Sequence, residues 1–338
     1  MTEPERSLLP DASQTSWLLP LCEQLRVARQ AGRFPTGLLI HDERGAGGEA
    51  MANFAAQLVL CREPNAPCGQ CRDCRQWRVA QHPDFIRVMP LEDSKYIRVE
   101  QVRELSQLLA LTSHNGGATV ALFQPADSLN PNAANALLKT LEEPRAGVTL
   151  LLLCSEPSRL PATILSRCQR LKVRPPSREQ SIAWLERHRG SGPWKVVLDV
   201  LGNAPYEALQ VDAAAVSRLK SETDRALADA VAGQLDVPTT AERWGAKGGP
   251  FELRLACIET WITARIERAV SKPAHSQEMR SSAHLSESTS DMNIAYLLRV
   301  LEGTYELRRL RLTSINRALA LEQLLWQLTR AHRANRAA

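Results

Sequence analysis

Aromatic residues are scarce in this chain, at 5% of 338 residues. Positive charge is present without being concentrated. The net charge is +5, but no dense basic run appears, so contact with nucleic acid is permitted rather than argued for. No apolar stretch reaches membrane length and no signal peptide is recognisable, which sets a spanning protein aside and gives the expectation of a cytoplasmic one. There is no internal repeat, which excludes a solenoid or propeller. Cysteine is not scarce: there are eight. In a reducing compartment, clustered cysteines are more often metal ligands than disulfides. The hydrophobic share of 44% and charged share of 23% are those of an ordinary globular protein. The length allows two or three domains with ample core.

The centre of the chain is the most legible part. Residues 118–123 and 148–154 are short, uniformly apolar runs, the habit of strands buried on both faces in a parallel sheet. Between them Asn130 is a good N-cap and Pro131 suits the first helical position. Ala134, Leu137, Leu138 and Leu141 recur on one helical face, and Pro144 stops the helix. Strand, helix, strand is a crossover unit, so the core is α/β. Further strands are predicted at 37–40, 85–89 and 170–174, and helices over 17–31, over 50–60 and from 97 onward. Residues 1–15 read as polar and loose. Pro175-Pro176 marks a domain boundary. From 216 the pattern is helical, with long segments over 251–270 and 292–330 separated by a Ser-rich stretch, 271–290, read as a mobile loop.

The strand at 37–40 leads into Gly45-Ala46-Gly47-Gly48-Glu49 and then a helix, the context of a phosphate-binding loop. The chemistry fails there. Such a loop needs Gly, four residues, then Gly-Lys-Ser/Thr, and the matching window is 42–49. Gly47 holds the second glycine, but Gly48 stands where Lys should supply positive charge, and Glu49 where a hydroxyl should meet Mg²⁺. A carboxylate at Glu49, with Asp42 and Glu43 nearby, would repel a triphosphate.

Cys61, Cys68, Cys71 and Cys74 follow with the spacing C-x6-C-x2-C-x2-C. Two short steps wrap the backbone around one tetrahedral ion and the first cysteine closes the site. Four ligands leave no open position, so bound zinc would be structural. An iron–sulfur cluster is the main rival and redox cysteines the lesser one. Cys22, Cys154, Cys168 and Cys257 lie in apolar contexts and read as buried hydrophobes. His82 reads as a structural neighbour of the cysteine module.

Two motifs carry a family resemblance. Residues 135–144, Asn-Ala-Leu-Leu-Lys-Thr-Leu-Glu-Glu-Pro, and residues 164–168, Ile-Leu-Ser-Arg-Cys, resemble the clamp-loader branch of the AAA+ ATPases. They are long and correctly ordered, and the resemblance extends over nearly the whole chain. It implies an α/β AAA+ fold, a RecA-like parallel sheet with flanking helices, over residues 1–174, with an inserted zinc module at 61–74. It implies a small helical lid at 175–215 and an all-helical carboxy-terminal collar at 216–338 that joins subunits. The final amphipathic helix, 315–328, fits that collar, and its Leu321, Leu324, Leu325, Trp326 and Leu328 offer more apolar surface than a terminal helix needs.

Within this family the strand at 120–123 should be followed by Asp-Glu, for Mg²⁺ and the attacking water. Gln124 and Pro125 stand there, and Asp127 arrives too late, as a loop or capping residue. The Arg that the family carries near 202–209 is missing from Asn203-Ala204-Pro205-Tyr206-Glu207-Ala208. The resemblance therefore implies a subunit that uses no ATP of its own. Its Arg167, in Ser166-Arg167-Cys168, would serve as an arginine finger on the ATP of a neighbour. Its expected partners are ATP-hydrolysing gamma/tau motor subunits and a delta subunit, in a ring that opens a sliding clamp and places it on primed DNA during replication. Two rivals are a motor ATPase, disfavoured by Gly48, Glu49, Gln124 and Pro125, and a zinc-dependent DNA-binding protein, disfavoured because Arg62, Arg72, Arg75 and Arg78 are few and offset by Glu63 and Asp73.

Overall fold

A computed structural model of the chain describes residues 10–43, 45–92, 94–271, 294–310 and 316–336. Residues 1–9 and nearly all of the Ser-rich stretch at 271–290 lie outside them. The chain forms two compact units. The first comprises residues up to Leu185 together with Asn203–Leu209, and the second Glu186–Gly202 and the residues from Gln210 onward.

The first unit contains, in order, α1 (Leu19–Gln30), β1 (Gly37–Asp42), α2 (Gly48–Leu60), α3 (Arg72–Arg78), β2 (Phe85–Val88), α4 (Val99–Leu109), β3 (Thr119–Phe123), α5 (Pro131–Glu142), β4 (Val148–Cys154), α6 (Ala162–Leu165) and β5 (Gln169–Val173). Helix α7 (Arg178–Arg189) runs across the division. Helix α8 (Trp194–Leu201) belongs to the second unit, and the short α9 (Pro205–Ala208) to the first.

Among the described residues the five strands form one sheet in the order β2-β3-β4-β1-β5, every neighbouring pair parallel. Parallel strands need crossovers that lay helices on both faces, and β4 is buried along its whole length as a result. Alternate strand residues feed opposite layers. Leu39, Ala121, Phe123, Leu150 and Leu152 share one core with Val102 and Leu105 of α4 and with Leu137 and Leu141 of α5. Asn130 caps α5 as its residue type requires, its Oδ1 accepting the Ala133 N–H at 2.7 Å, with Pro131 at the first helical position.

One expectation fails where it can be seen. Residues 10–15 are packed, not loose. Asp11 caps a turn over Ala12–Gln14, accepting the Ser13 N–H at 2.7 Å, and Ala12 and Thr15 are fully buried. A polar sequence hid this because its anchors are one alanine and one hydroxyl.

The second unit continues with α10 (Ala213–Ala232), α11 (Val237–Gly245), α12 (Phe251–Ser271), α13 (Ile294–Leu310) and α14 (Arg317–Arg336). Its core joins Leu227, Trp244, Leu255, Ile258, Trp261, Leu297 and Val300 to Leu321, Leu324, Leu325 and Leu328. This corrects the reading of α14 as an uncovered apolar surface. Four of those five residues are spent inside their own unit, and Trp326 alone of them is exposed. Arg254 is buried in the same unit, with its guanidinium 4.4 Å from the Trp244 ring centroid and Nη1 donating to Thr223 Oγ1 at 3.2 Å. No helix among the described residues is long and apolar enough to cross a membrane.

Candidate functional site

The loop after β1 emerges at the carboxyl end of the sheet, where α/β folds place ligands. Gly47 holds φ at 113° and forms the N-cap of α2, so the loop turns into a helix as a phosphate-binding loop does. What faces its N–H groups is the chain itself. Asp42 Oδ1 accepts the Ala46 N–H at 2.8 Å. Burial raises the Asp42 carboxyl above its usual range, and the N–H groups of Gly48, Ala46 and Gly47 offset part of that rise. A Cβ on Gly48 would lie 2.4 Å from the Asp42 Cβ, so even the missing side chain's space is taken.

A second layer comes from α9. The Tyr206 N–H donates to the Gly45 carbonyl at 3.2 Å. The Tyr206 ring would meet a Cβ on Gly47 at 2.6 Å, and the Glu207 side chain one on Gly45 at 2.9 Å. The ring is walled by Trp17 and Trp184, whose own centroids lie 5.1 Å apart edge to face. Trp17 Nε1 donates to the Ala46 carbonyl at 2.8 Å. Sequence reasoning noted only that this stretch lacks an Arg. Nothing local marks Tyr206 as a plug, because its partners are far away in sequence.

Glu49, at the hydroxyl position, is paired. Arg87 of β2 donates to its Oε1 at 3.2 Å and to Asn53 Oδ1 at 3.1 Å. The charge expected to repel a triphosphate is thus partly neutralised within the fold. Gln124 follows β3 directly, its N–H donating to the Val88 carbonyl at 3.0 Å, and Pro125 comes next. Asp127 does serve the loops, as its Oδ2 accepts the Glu156 N–H at 2.9 Å.

The four cysteines converge. The Sγ atoms of Cys61, Cys68, Cys71 and Cys74 all lie within 4.8 Å of one another. The Cys68–Cys74 and Cys61–Cys71 pairs are each 3.9 Å apart. A tetrahedral ion with sulfur ligands at about 2.3 Å has edges of about 3.8 Å, so the group can hold a metal ion. The N–H groups of Gln70 and Cys71 point at Cys68 Sγ and draw its pKa down to about 7, while burial pushes Cys61 and Cys74 up. The remaining cysteines are buried, with pKa values raised to about 12 for Cys22 and Cys154 and about 11 for Cys168 and Cys257. They are inert hydrophobes.

Asp73, between two of the ligands, counted in the sequence only as an offsetting charge. It is buried and accepts from Asn115 Nδ2 at 2.8 Å and Arg62 Nε at 3.3 Å, with His82 Nε2 3.4 Å away. Asp84, also buried, accepts the His114 and Asn115 N–H groups at 2.6 and 2.9 Å. This network docks the cysteine module onto the sheet edge, with His82 in it.

Arg167 follows α6 and is exposed, with Nη2 2.6 Å from Glu142 Oε1. Ser166 is exposed beside it, and Cys168 is buried in the core of the sheet.

Residues 20–177 match the protein family described as DNA polymerase III, delta subunit. The DNA polymerase III subunit delta′ of Pseudomonas aeruginosa is 35% identical over 213 residues, covering 62% of this chain and 65% of the relative. That of Escherichia coli is 38% identical over 173 residues, 51% of this chain and 52% of the relative. A DNA polymerase III subunit tau of Salmonella typhimurium is 34% identical over 139 residues, 40% of this chain but 21% of the relative. The chain thus spans about half to just under two thirds of the delta′ relatives named here. Among solved structures, a DNA polymerase III gamma subunit-related protein from Thermotoga maritima superposes with a TM-score of 0.51 at 16% identity, covering 92% of this chain and 99% of that one. At that identity the likeness shows the fold alone; together with the matched family, the parallel sheet and the four-cysteine group of this chain, it fits an AAA+ fold with a metal module.

Proposed function

We propose, from the premise that residues 20–177 are a DNA polymerase III delta-family module and that the curated relatives support a delta′ subunit, that this chain is the non-hydrolysing delta′ member of a clamp loader. The observation that carries the reading is the filled loop. Asp42 occupies the loop's N–H groups, and Tyr206 and Glu207 cover its glycines. With no Lys at Gly48 and no metal carboxylate at Gln124 or Pro125, neither binding nor hydrolysis of ATP has a residue to perform it.

The chain acts instead as a partner in the cytoplasm. It assembles with gamma/tau motor subunits and a delta subunit, and the assembly opens a sliding clamp and places it on primed DNA, as part of the DNA polymerase III holoenzyme. Arg167 reaches in trans to the ATP of an adjoining motor subunit. Its planar guanidinium suits phosphate oxygens where charge develops, and such fingers are worth roughly 10³–10⁵ in rate at one site. The ion held by Cys61, Cys68, Cys71 and Cys74 is zinc, which keeps the module folded and takes no part in chemistry.

Reconstitution with motor and delta subunits tests this. The isolated chain should show no heat of MgATP binding, and the complex carrying Arg167→Ala should assemble normally but hydrolyse ATP and load clamps more slowly. Micromolar MgATP binding by the isolated chain would restore the motor reading. Wild-type loading by the Arg167→Ala complex would make that residue merely structural.

A further inference from the structure

Arg167 and Glu142 join the two motifs that define the chain's resemblance. Glu142 is the last residue of α5, and Arg167 stands two residues beyond α6. Arg167 Nη2 lies 2.6 Å from Glu142 Oε1, while Nη1 donates to the Thr163 carbonyl at 3.1 Å and to Ser166 Oγ at 3.3 Å. Both terminal nitrogens of the guanidinium are therefore turned back onto the chain's own atoms.

The bases of the two side chains are packed and their tips are exposed. Leu141 and Cys168, the neighbours of the pair in sequence, are buried in one core. A Cβ on Gly37 would lie 2.9 Å from Leu141 Cδ2 and 3.4 Å from the Arg167 carbonyl, so the start of β1 packs closely against both segments. The paired side chains themselves are 36% and 48% exposed.

We propose that Glu142 is a releasable latch for Arg167: it stores the guanidinium against the chain's own surface, and the triphosphate of a neighbouring subunit displaces the carboxylate. This rests on the reading of Arg167 as a residue acting in trans. Exposure decides that the pair is a latch and not a lock. An exposed ion pair biases a population by no more than about fivefold, whereas a buried one resists opening far more strongly. A polyphosphate offers the same planar donors more negative charge and a bidentate geometry, so it outcompetes a single exposed carboxylate. Glu142 is a positioning residue. It acts before the nucleotide is engaged, so its removal changes the apparent affinity of the neighbouring site and not the rate once that site is full.

The test has two arms. In the isolated full chain, the rate at which an arginine-selective α-dicarbonyl reagent modifies Arg167, followed by mass spectrometry of the peptide, should rise up to about fivefold in Glu142→Gln. The difference should shrink as salt is raised towards about 1 M, because the pair is exposed to screening ions. In the reconstituted complex, Glu142→Gln should lower KM for ATP by a similar factor and leave kcat unchanged. Equal modification of wild type and Glu142→Gln at low salt overturns the latch, as does a fall in kcat without a fall in KM. The two readings fail separately: normal hydrolysis by the Arg167→Ala complex removes the role in trans, while the modification rates judge the pair alone.

Discussion

The hydroxyls of Thr15 and Tyr206 lie 2.8 Å apart in a buried contact between residues 191 positions apart in the chain. Thr15 Oγ1 also lies 3.2 Å from the Asp11 carbonyl, and the Tyr206 hydroxyl 3.3 Å from the Pro10 carbonyl, so one hydroxyl donates across the pair and the other to its carbonyl. The contact ties the amino-terminal turn to α9, whose Tyr206 ring covers Gly47. Burial raises the Tyr206 phenol, so it stays neutral and a donor throughout the working range.

Tyr206→Phe removes one buried hydrogen bond and leaves the ring in place. It should lower stability by about 1 kcal/mol. Tyr206→Ala empties the plug as well and should cost about 3–5 kcal/mol, the range for deleting a buried aromatic ring. Urea denaturation measures both. Equal small losses would mean that the ring packs against nothing that matters.

Asp42 gives a pH dependence with a definite sign. Its folded pKa is raised, burial being the larger cause, so its contribution is fully present below the unfolded value of about 3.9 and is lost as pH rises through the folded value. Asp42→Asn keeps an acceptor for the Ala46 N–H and removes the buried charge. The variant should be more stable than wild type near neutral pH, with the gain shrinking towards about pH 4. Thermal melts across that span check it. A gain that grows on acidification would reverse the assignment.

The metal centre is expected to hold one zinc per chain. Elemental analysis of purified protein should return that stoichiometry, and visible absorption from an iron–sulfur cluster would contradict it. Cys68→Ser, or a strong chelator, should remove the ion and loosen the segment around 61–82 while the sheet survives, because the strands form a core of their own. Hydrogen exchange separates the two regions.

Asp73→Ala leaves the side chains of Asn115, Arg62 and His82 without a shared acceptor while deleting no ligand. The two hydrogen bonds it accepts are worth about 0.5–1.5 kcal/mol each, and losing them loosens the segment between Cys71 and Cys74. The variant should therefore lose zinc to a chelator faster than wild type. Unchanged retention would show that the module docks without this carboxylate.

In the second unit, Leu325→Ala should cost about 2–5 kcal/mol, because Leu325 is fully buried among α10–α14. Trp326→Ala should stay within about 0.5 kcal/mol, since its ring is exposed. If this unit joins subunits, as the family resemblance implies, then loss of Trp326 and Leu319, the exposed large apolar residues among the described side chains of α14, should weaken co-elution with the other subunits.

By itself the sequence determined whatever depends on near neighbours. Asn130 and Pro131 start a helix because a side-chain acceptor and a fixed φ satisfy its first turn, whatever lies beyond. The run at 148–154 is a buried strand because all of it but Thr149 is apolar. The short steps between the four cysteines favour one shared site, and the absence of Lys at position 48 is visible in one line of letters. Only the tertiary structure decided what packs over the glycine loop, which acid holds Arg167, that Arg87 pairs with Glu49, and that the leucines of the last helix are covered by their own unit. Each of these joins elements far apart in sequence. Periodicity and spacing reach across a few turns of chain, whereas such contacts exist only once the sheet order has brought distant segments together.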